Sequence, residues 1–210
     1  MWRWIARIYF WLAERLYNEL AWAYDPVSAL VSLGNWDDWR RLALIEPLGA
    51  RVLEIGFGTG VLQLELSKKA VQVYGLDRSW AMQRVTDRKA RRAGARLRCV
   101  QGESQRLPYP DGCFDTILAT FPAGYIGEAQ TWREVQRCLR RPGGRFIVSG
   151  LIVMRLPKPL PEGETIAYEP QPGELLDEMR MLALAAGLDF RVTLQRYGAI
   201  GVPVMVCETH

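Results

Sequence analysis

Arg51-Val-Leu-Glu-Ile-Gly-Phe-Gly-Thr-Gly-Val61 is the stretch on which the reading of this 210-residue chain turns. Val52, Leu53 and Ile55 make the short apolar run that a buried parallel strand needs, and Glu54 interrupts it near its carboxyl end. Gly56, Gly58 and Gly60 follow at alternate positions, and a helical pattern then opens with Leu62, Leu64 and Leu66 ahead of Lys68 and Lys69. The order is strand, glycine turn, helix. Glycine admits positive φ and lets a ligand approach the main chain. The free N–H groups of a helix start favour an anionic or negatively polarised ligand group. A dinucleotide site wants G-x-G-x-x-G, with its third glycine one residue later than here.

Outward from this stretch, strand and helix patterns alternate. Strands are expected near 51–56, 71–77, 96–100, 114–120 and 145–151, with helices near 59–69, 79–93 and 127–140. Such alternation means a parallel sheet covered on both faces. A proline-rich stretch, 156–172, reads as a surface loop or lid, followed by a helix near 173–186 and two strands near 188–196 and 203–209 that can pair. The fold class expected is α/β: a Rossmann-like, doubly wound, seven-stranded, mostly parallel sheet with an N-terminal helical extension. One domain is expected, with a helical cap over 1–46, a core over 47–151 and a loop, helix and terminal strands over 152–210.

Asp77 ends the second strand, at the sheet edge where open α/β folds bind ligands. It suits the two hydroxyls of a ribose, or else it caps the helix that opens at Ser79. Gly102-Glu103-Ser104 follows the third strand. There Glu103 is placed to accept an adenine amino group and the Ser104 N–H to face a ring nitrogen; the bland alternative for Glu103 is a solvated loop acid.

The pattern Glu54-x-Gly56-x-Gly58-x-Gly60 resembles the first motif of the class I S-adenosylmethionine (SAM) methyltransferases. Leu107-Pro-Tyr-Pro-Asp-Gly-Cys-Phe-Asp115 resembles that family's L-P-F-x-D-x-S-F-D stretch, and Leu139-Arg-Arg-Pro-Gly-Gly-Arg145 its L-R-P-G-G turn with one extra arginine. Tyr24-Asp25, Leu30, Ser32, Gly34, Trp39 and Arg40 resemble the entry segment of the ubiquinone/menaquinone-biosynthesis C-methyltransferases, with Ser28 where that family has asparagine. Small bacterial phospholipid N-methyltransferases are similar in size and core motifs. The resemblance implies SAM as cofactor and S-adenosylhomocysteine as product. It implies a cofactor set of Tyr24, Glu54, Gly56, Gly58, Gly60, Asp77, Arg78, Glu103, Ser104 and Thr120, and no metal. Phe121 and Tyr125, after strand four, are candidates for an acceptor-pocket wall, with core packing as the alternative for Phe121. Phe121-Pro122-Ala123 lacks the [DN]-P-P-[YF] of amino-methylating DNA enzymes, which argues against a base-flipping methylase.

The composition is that of an ordinary globular protein, with a net charge of +4. Arginines cluster at 84–98 and 133–145. These read as solvated helix faces in preference to a nucleic-acid groove, so no nucleic-acid partner is expected. The four cysteines form no C-x-x-C pair and read as thiols of a reducing, cytoplasmic compartment. The only histidine is His210, the last residue given, which argues against a buried His base or a His-ligated metal within the fold. A helix is expected from an Asn35 cap through Glu46. Residues 2–24 carry an amphipathic helical pattern too charged for a membrane span, expected to end at Tyr24-Asp25-Pro26. Its apolar face either docks over 2–22 on the inner face of a membrane or packs on the protein as a lid. The first reading is a methyltransferase acting on a small, apolar or membrane-dissolved acceptor, quinol-like or a phospholipid amine. An NAD-type oxidoreductase and a non-catalytic SAM-binding module are the alternatives.

Overall fold

The computed structural model describes residues 17, 19–32, 34–69, 71–155, 165–171, 173–197 and 200–210. Its centre is β1 (Arg51–Ile55), flanked in parallel by β2 (Gln72–Asp77) and β4 (Thr116–Thr120). β3 (Arg98–Gln101) extends the sheet beyond β2, and β5 (Arg145–Ser149) extends it beyond β4. The strand order 3-2-1-4-5 reverses at β1, so the carboxyl ends of β1, β2 and β4 frame a crevice. Alternation along β1 separates two cores. Leu53 and Ile55 pack with Phe114, Trp132 and Phe146. Val52 packs on the other face with Leu62, Leu66 and Leu118, and Glu54 shares that side.

The helices follow their sequence signals. α1 is Tyr24–Val31, α2 Trp36–Arg41, α3 Val61–Leu66, α4 Trp80–Arg92, α5 Ala129–Cys138 and α6 Leu175–Ala185. Ser79 caps α4, its hydroxyl accepting the Met82 N–H at 3.3 Å. The paired terminal strands are β8 (Leu188–Tyr197) and β9 (Ile200–Thr209). β9 runs antiparallel to both β5 and β8.

Three details differ from the sequence reading. The sheet path holds eight strands where seven were expected, and the two-residue β6 (Met154–Arg155) pairs with β9 off that path. The eighth is β7 (Thr165–Ala167), inside the stretch expected to be loop. Its β-branched Thr165 and Ile166 suit an extended backbone, and it pairs with the outer edge of β8. Second, Tyr24-Asp25-Pro26 begins a helix where it was expected to end one. Pro26 falls in the first turn of α1, where its missing N–H has no helical partner to lose. Third, the helix expected over 35–46 is α2 plus a 3-10 turn at Leu42–Leu44. Most of the amphipathic segment 2–24 lies outside the described residues. What is described of it is Tyr17, a turn at 19–20 and a 3-10 turn at Ala21–Ala23. No helix among the described residues is long and apolar enough to cross a membrane.

Candidate functional site

The glycine turn is built as its spacing requires. Gly56, Gly58 and Gly60 have φ of 73°, 54° and 73°. Each has a different reason to lack a side chain. A Cβ on Gly56 would sit 2.7 Å from the Tyr125 hydroxyl, and one on Gly60 2.4 Å from Thr86. A Cβ on Gly58 would meet only the Tyr17 hydroxyl, 4.0 Å away. Gly56 and Gly60 are therefore glycines for packing, while Gly58 keeps a space open at the crevice.

Asp77 stands behind this loop. One of its oxygens accepts the Ser79 N–H at 2.8 Å. The other accepts the Gly58 N–H at 2.8 Å and the Tyr17 hydroxyl at 2.5 Å. Asp77 does sit at the start of α4, but Ser79 supplies the cap, so the carboxylate is left to face the loop and the crevice. Tyr17 is held in turn by the Ser79 hydroxyl on its carbonyl at 3.2 Å and by an edge contact with Tyr24, ring centres 5.9 Å apart. α1 is fastened over the loop by Asp25, which accepts from Thr59 at 2.5 Å and pairs with Lys89.

These elements enclose a cavity of about 50 Å³. Tyr17, Tyr24, Trp36 and Arg40 line it from the N-terminal side, Glu54, Gly56 and Gly58 from the loop, and Thr120, Phe121 and Tyr125 from the end of β4. Phe121 is the only described non-glycine residue at positive φ, 48°. Strain of this kind costs on the order of 1–3 kcal/mol and persists where the surroundings impose it. Here it stacks the Phe121 ring on Trp36, with centres 4.1 Å apart, over a Gly150 whose Cβ would strike it at 2.7 Å. Phe121 thus lines the cavity; it is absent from both buried core clusters.

Glu54 is buried, and its carboxylate accepts the Gln63 amide at 2.8 Å. Burial pushes it up to about 7, against the pull of that hydrogen bond and of the Arg40 charge. Burial likewise raises Asp77, against its hydrogen bonds from Tyr17, Ser79 and Gly58. The Tyr125 phenol is pushed well up by burial, and its hydroxyl donates to the Ile55 carbonyl at 3.0 Å.

The Methyltransferase domain family matches residues 52–144. A demethylmenaquinone methyltransferase of Thermus thermophilus is 33% identical over 154 residues, covering 70% of this chain and 67% of that protein. One from Deinococcus radiodurans is 34% identical over 146 residues, covering 64% of this chain and 58% of its own. The chain belongs to the class I SAM-dependent methyltransferases. Among solved structures, a SAM-dependent methyltransferase from Aquifex aeolicus superposes with a TM-score of 0.60. It is 21% identical, with 86% of this chain and 98% of that one covered. A geranyl diphosphate methyltransferase in complex with GPP and sinefungin gives 0.63 at 14% identity, covering 83% and 78%. These two likenesses concern the fold.

SAM is the cofactor of this methyltransferase fold, and the residues present fit it. Asp77 already accepts one hydroxyl, that of Tyr17, from the crevice side, where a ribose would supply its own. With Tyr17 in that place the cavity has room for a few water molecules and none for a nucleoside. Tyr17→Phe removes a hydroxyl that competes for Asp77. SAM affinity measured by calorimetry is expected to rise about tenfold, since a hydrogen bond to a charged group contributes ~1.5–3 kcal/mol to the closed arrangement. Weaker binding would mean that the hydroxyl serves the SAM-bound state instead.

Of the residues expected from sequence, Tyr24, Glu54, Gly56, Gly58, Thr120, Phe121 and Tyr125 meet at the cavity, with Asp77 behind Tyr17. The Arg78 side chain is exposed, and so is Glu103. Ser104 is buried, with its hydroxyl 3.0 Å from that of Thr131. None of these three lines the cavity. Tyr17, Trp36 and Arg40 were not expected there. Arg40 had a signal in the Trp39-Arg40 pair, whereas Tyr17 sits in a helical pattern where nothing marks one phenol as inward-facing. His210 is exposed, 3.3 Å from Asp189, on the far end of the strand pair from this crevice.

Glu54 also makes a stability prediction. Its folded value lies above the ordinary ~4.3, so its ionisation opposes folding. Its contribution is full below about pH 4 and is lost as pH rises through about 7. Glu54→Gln is expected to flatten the fall in melting temperature across that window. An unchanged pH profile would place the titration elsewhere.

Proposed function

We propose that this methyltransferase acts on a quinol-like, apolar acceptor at a ring carbon. The observation that carries the reading is the aromatic wall of the cavity. Trp36 and Phe121 stack there, and the Trp36 indole N–H is buried with no acceptor among the described residues. A flat ring suits the wall, and a ring oxygen suits the orphan N–H, whose burial otherwise costs ~1–3 kcal/mol. The named activity of the relatives supports the same acceptor class.

When bound, SAM supplies a methyl group already activated on a sulfonium. In this reading Asp77 holds the ribose, Gly58 leaves room for it, Gly56 and Gly60 shape the loop, and Glu54 and Arg40 face its amino acid end. Tyr24, Arg78, Glu103, Ser104 and Thr120 remain candidates for further contacts, and residues 1–46 act as a cap on one domain. The chain's remaining task is to align the acceptor and keep water out. Tyr125 is a poor base, since its hydroxyl is committed to Ile55 and its phenol is raised by burial. An acceptor whose own hydroxyl makes the ring electron-rich needs no strong base. The finer reading of the N-terminal segment, that residues 2–22 touch a membrane, is compatible with a membrane-dissolved acceptor.

The test offers demethylmenaquinol and phosphatidylethanolamine in parallel, with methyl-labelled SAM. Label is expected in the quinol, and Trp36→Phe is expected to raise KM for it several-fold. Label in the amine lipid alone would replace the quinol with a phospholipid acceptor.

A further inference from the structure

α4 presents two unlike faces. Met82, Thr86 and Ala90 are buried against the glycine loop and sheet. Trp80, Arg84, Arg88 and Arg91 recur at helical spacing on the opposite face, and all four are exposed. Between Arg78 and Arg96 stand seven cationic side chains and a single carboxylate, Asp87. Some surface arginines elsewhere are paired: Arg41 with Asp38 and Glu65, Arg137 with Asp111 and Glu134, Arg191 with Glu46. Among the described residues, Arg78, Arg84, Arg88, Arg91 and Arg92 form no ion pair. The helix dipole favours Arg91 and Arg92 in the last turn, but it disfavours Arg78 before the first. Folding therefore gives no reason for the whole stripe.

Exposed apolar side chains lie on α4 itself and on the two elements fastened to it. Trp80 is 55% exposed at the start of α4. Trp22, 70% exposed, lies in the 3-10 turn that packs against α4. Leu30, 78% exposed, lies on α1, which Asp25 and Lys89 hold to α4. Exposed indoles beside arginines suit the boundary of a bilayer, where the ring enters the headgroup layer and the guanidinium meets lipid phosphate. A nucleic acid would match the charge, but it has no use for an exposed leucine.

We infer that the outer face of α4, with Trp22 and Leu30 beside it, docks on an anionic lipid bilayer. This surface consists of residues other than 2–16 and does not depend on which acceptor is methylated. Docking there brings the cap of the SAM crevice to the membrane, because the Asp25–Lys89 pair and the 3-10 turn at Ala21–Ala23 fasten the cap to α4.

The full-length chain is sedimented with vesicles of phosphatidylcholine, with and without phosphatidylglycerol, in the absence of SAM and quinone. Binding is expected only with phosphatidylglycerol, and it should fall as salt rises. The triple substitution R84Q/R88Q/R91Q is expected to weaken it about a hundredfold, at the few-fold loss per arginine that an anionic surface implies. Trp80→Ser should weaken it several-fold, and SAM affinity should survive in both variants. Should either variant lose SAM affinity, Arg84→Gln alone carries the test with a proportionally smaller loss. Equal binding by wild type and the arginine variants overturns the inference, as does failure of wild type to bind anionic vesicles. Displacement from vesicles by equimolar duplex RNA or DNA also overturns it, in favour of a nucleic-acid surface. None of these outcomes bears on methyl transfer, so the acceptor proposal stands or falls separately.

Discussion

Gly58→Val is expected to weaken SAM binding more than a hundredfold while leaving the chain folded. The two effects separate because of where the new side chain goes. Gly58 has a φ of 54°, which a β-branched residue resists at a cost of about 1–3 kcal/mol. Its Cβ would point into open space, with only the Tyr17 hydroxyl near it at 4.0 Å. The fold meets strain but no collision, whereas a cofactor seated on the loop meets the whole isopropyl group. Gly60 is the contrasting position. There even a methyl would come within 2.4 Å of Thr86, so Gly60→Ala should lower the melting temperature and lose binding only as a consequence. Calorimetric titration with SAM, alongside melting curves, distinguishes the two. A folded Gly58→Val protein that binds SAM normally would remove the loop from the cofactor site.

Asp77→Ala is the second large effect, expected at one to two powers of ten in SAM affinity. In the proposed arrangement two hydrogen bonds from ribose to this carboxylate are lost, each contributing ~1.5–3 kcal/mol, with partial replacement by water. The structure adds two consequences. The Gly58 and Ser79 N–H groups lose their acceptor, so some stability goes as well. Tyr17 loses its partner too, which loosens the closed arrangement and returns part of the affinity. Asp77→Asn keeps an acceptor for the two N–H groups but not the charge, so it should lose less stability and most of the same affinity. Undiminished SAM binding in both variants would mean that the carboxylate serves only the loop and the start of α4.

The parts of this fold that were legible in the sequence are those governed by short-range rules. Apolar runs of four or five residues and glycines at fixed spacing each act within a few residues. They placed β1 to β5, α3 to α5 and the carboxylates at the strand ends. The terminal pair β8 and β9 was legible for the same reason. β7 was not, because the five prolines of 156–172 outweigh Thr165 and Ile166 until the edge of β8 offers them partners. The start of α1 was missed because proline disfavours helix before it, yet at the first turn it has no hydrogen bond to break. In the site, Asp77 was readable from its position at a strand end, and Glu54 from the resemblance of its glycine motif. Tyr17 was not, since its meeting with Asp77 spans 60 residues and depends on how the cap folds back. Phe121 was ambiguous between wall and core, because nothing local foretells a phenylalanine at positive φ.

The crevice formed by the glycine loop, Glu54 and Asp77 is the proposed SAM site. It is tested most directly by titrating the full chain with SAM in a calorimeter from about pH 5 to about pH 8, in buffers of different ionisation heat. Glu54 is held up to about 7 by burial, and a bound cation beside it favours its ionised form. The account predicts a single site whose affinity rises with pH, by up to about tenfold per unit, and levels off near 7, with proton release below that point. Glu54→Gln should abolish both the slope and the release. No binding of SAM, or tighter binding of NAD, would contradict the account, as would pH-independent SAM binding unchanged in Glu54→Gln.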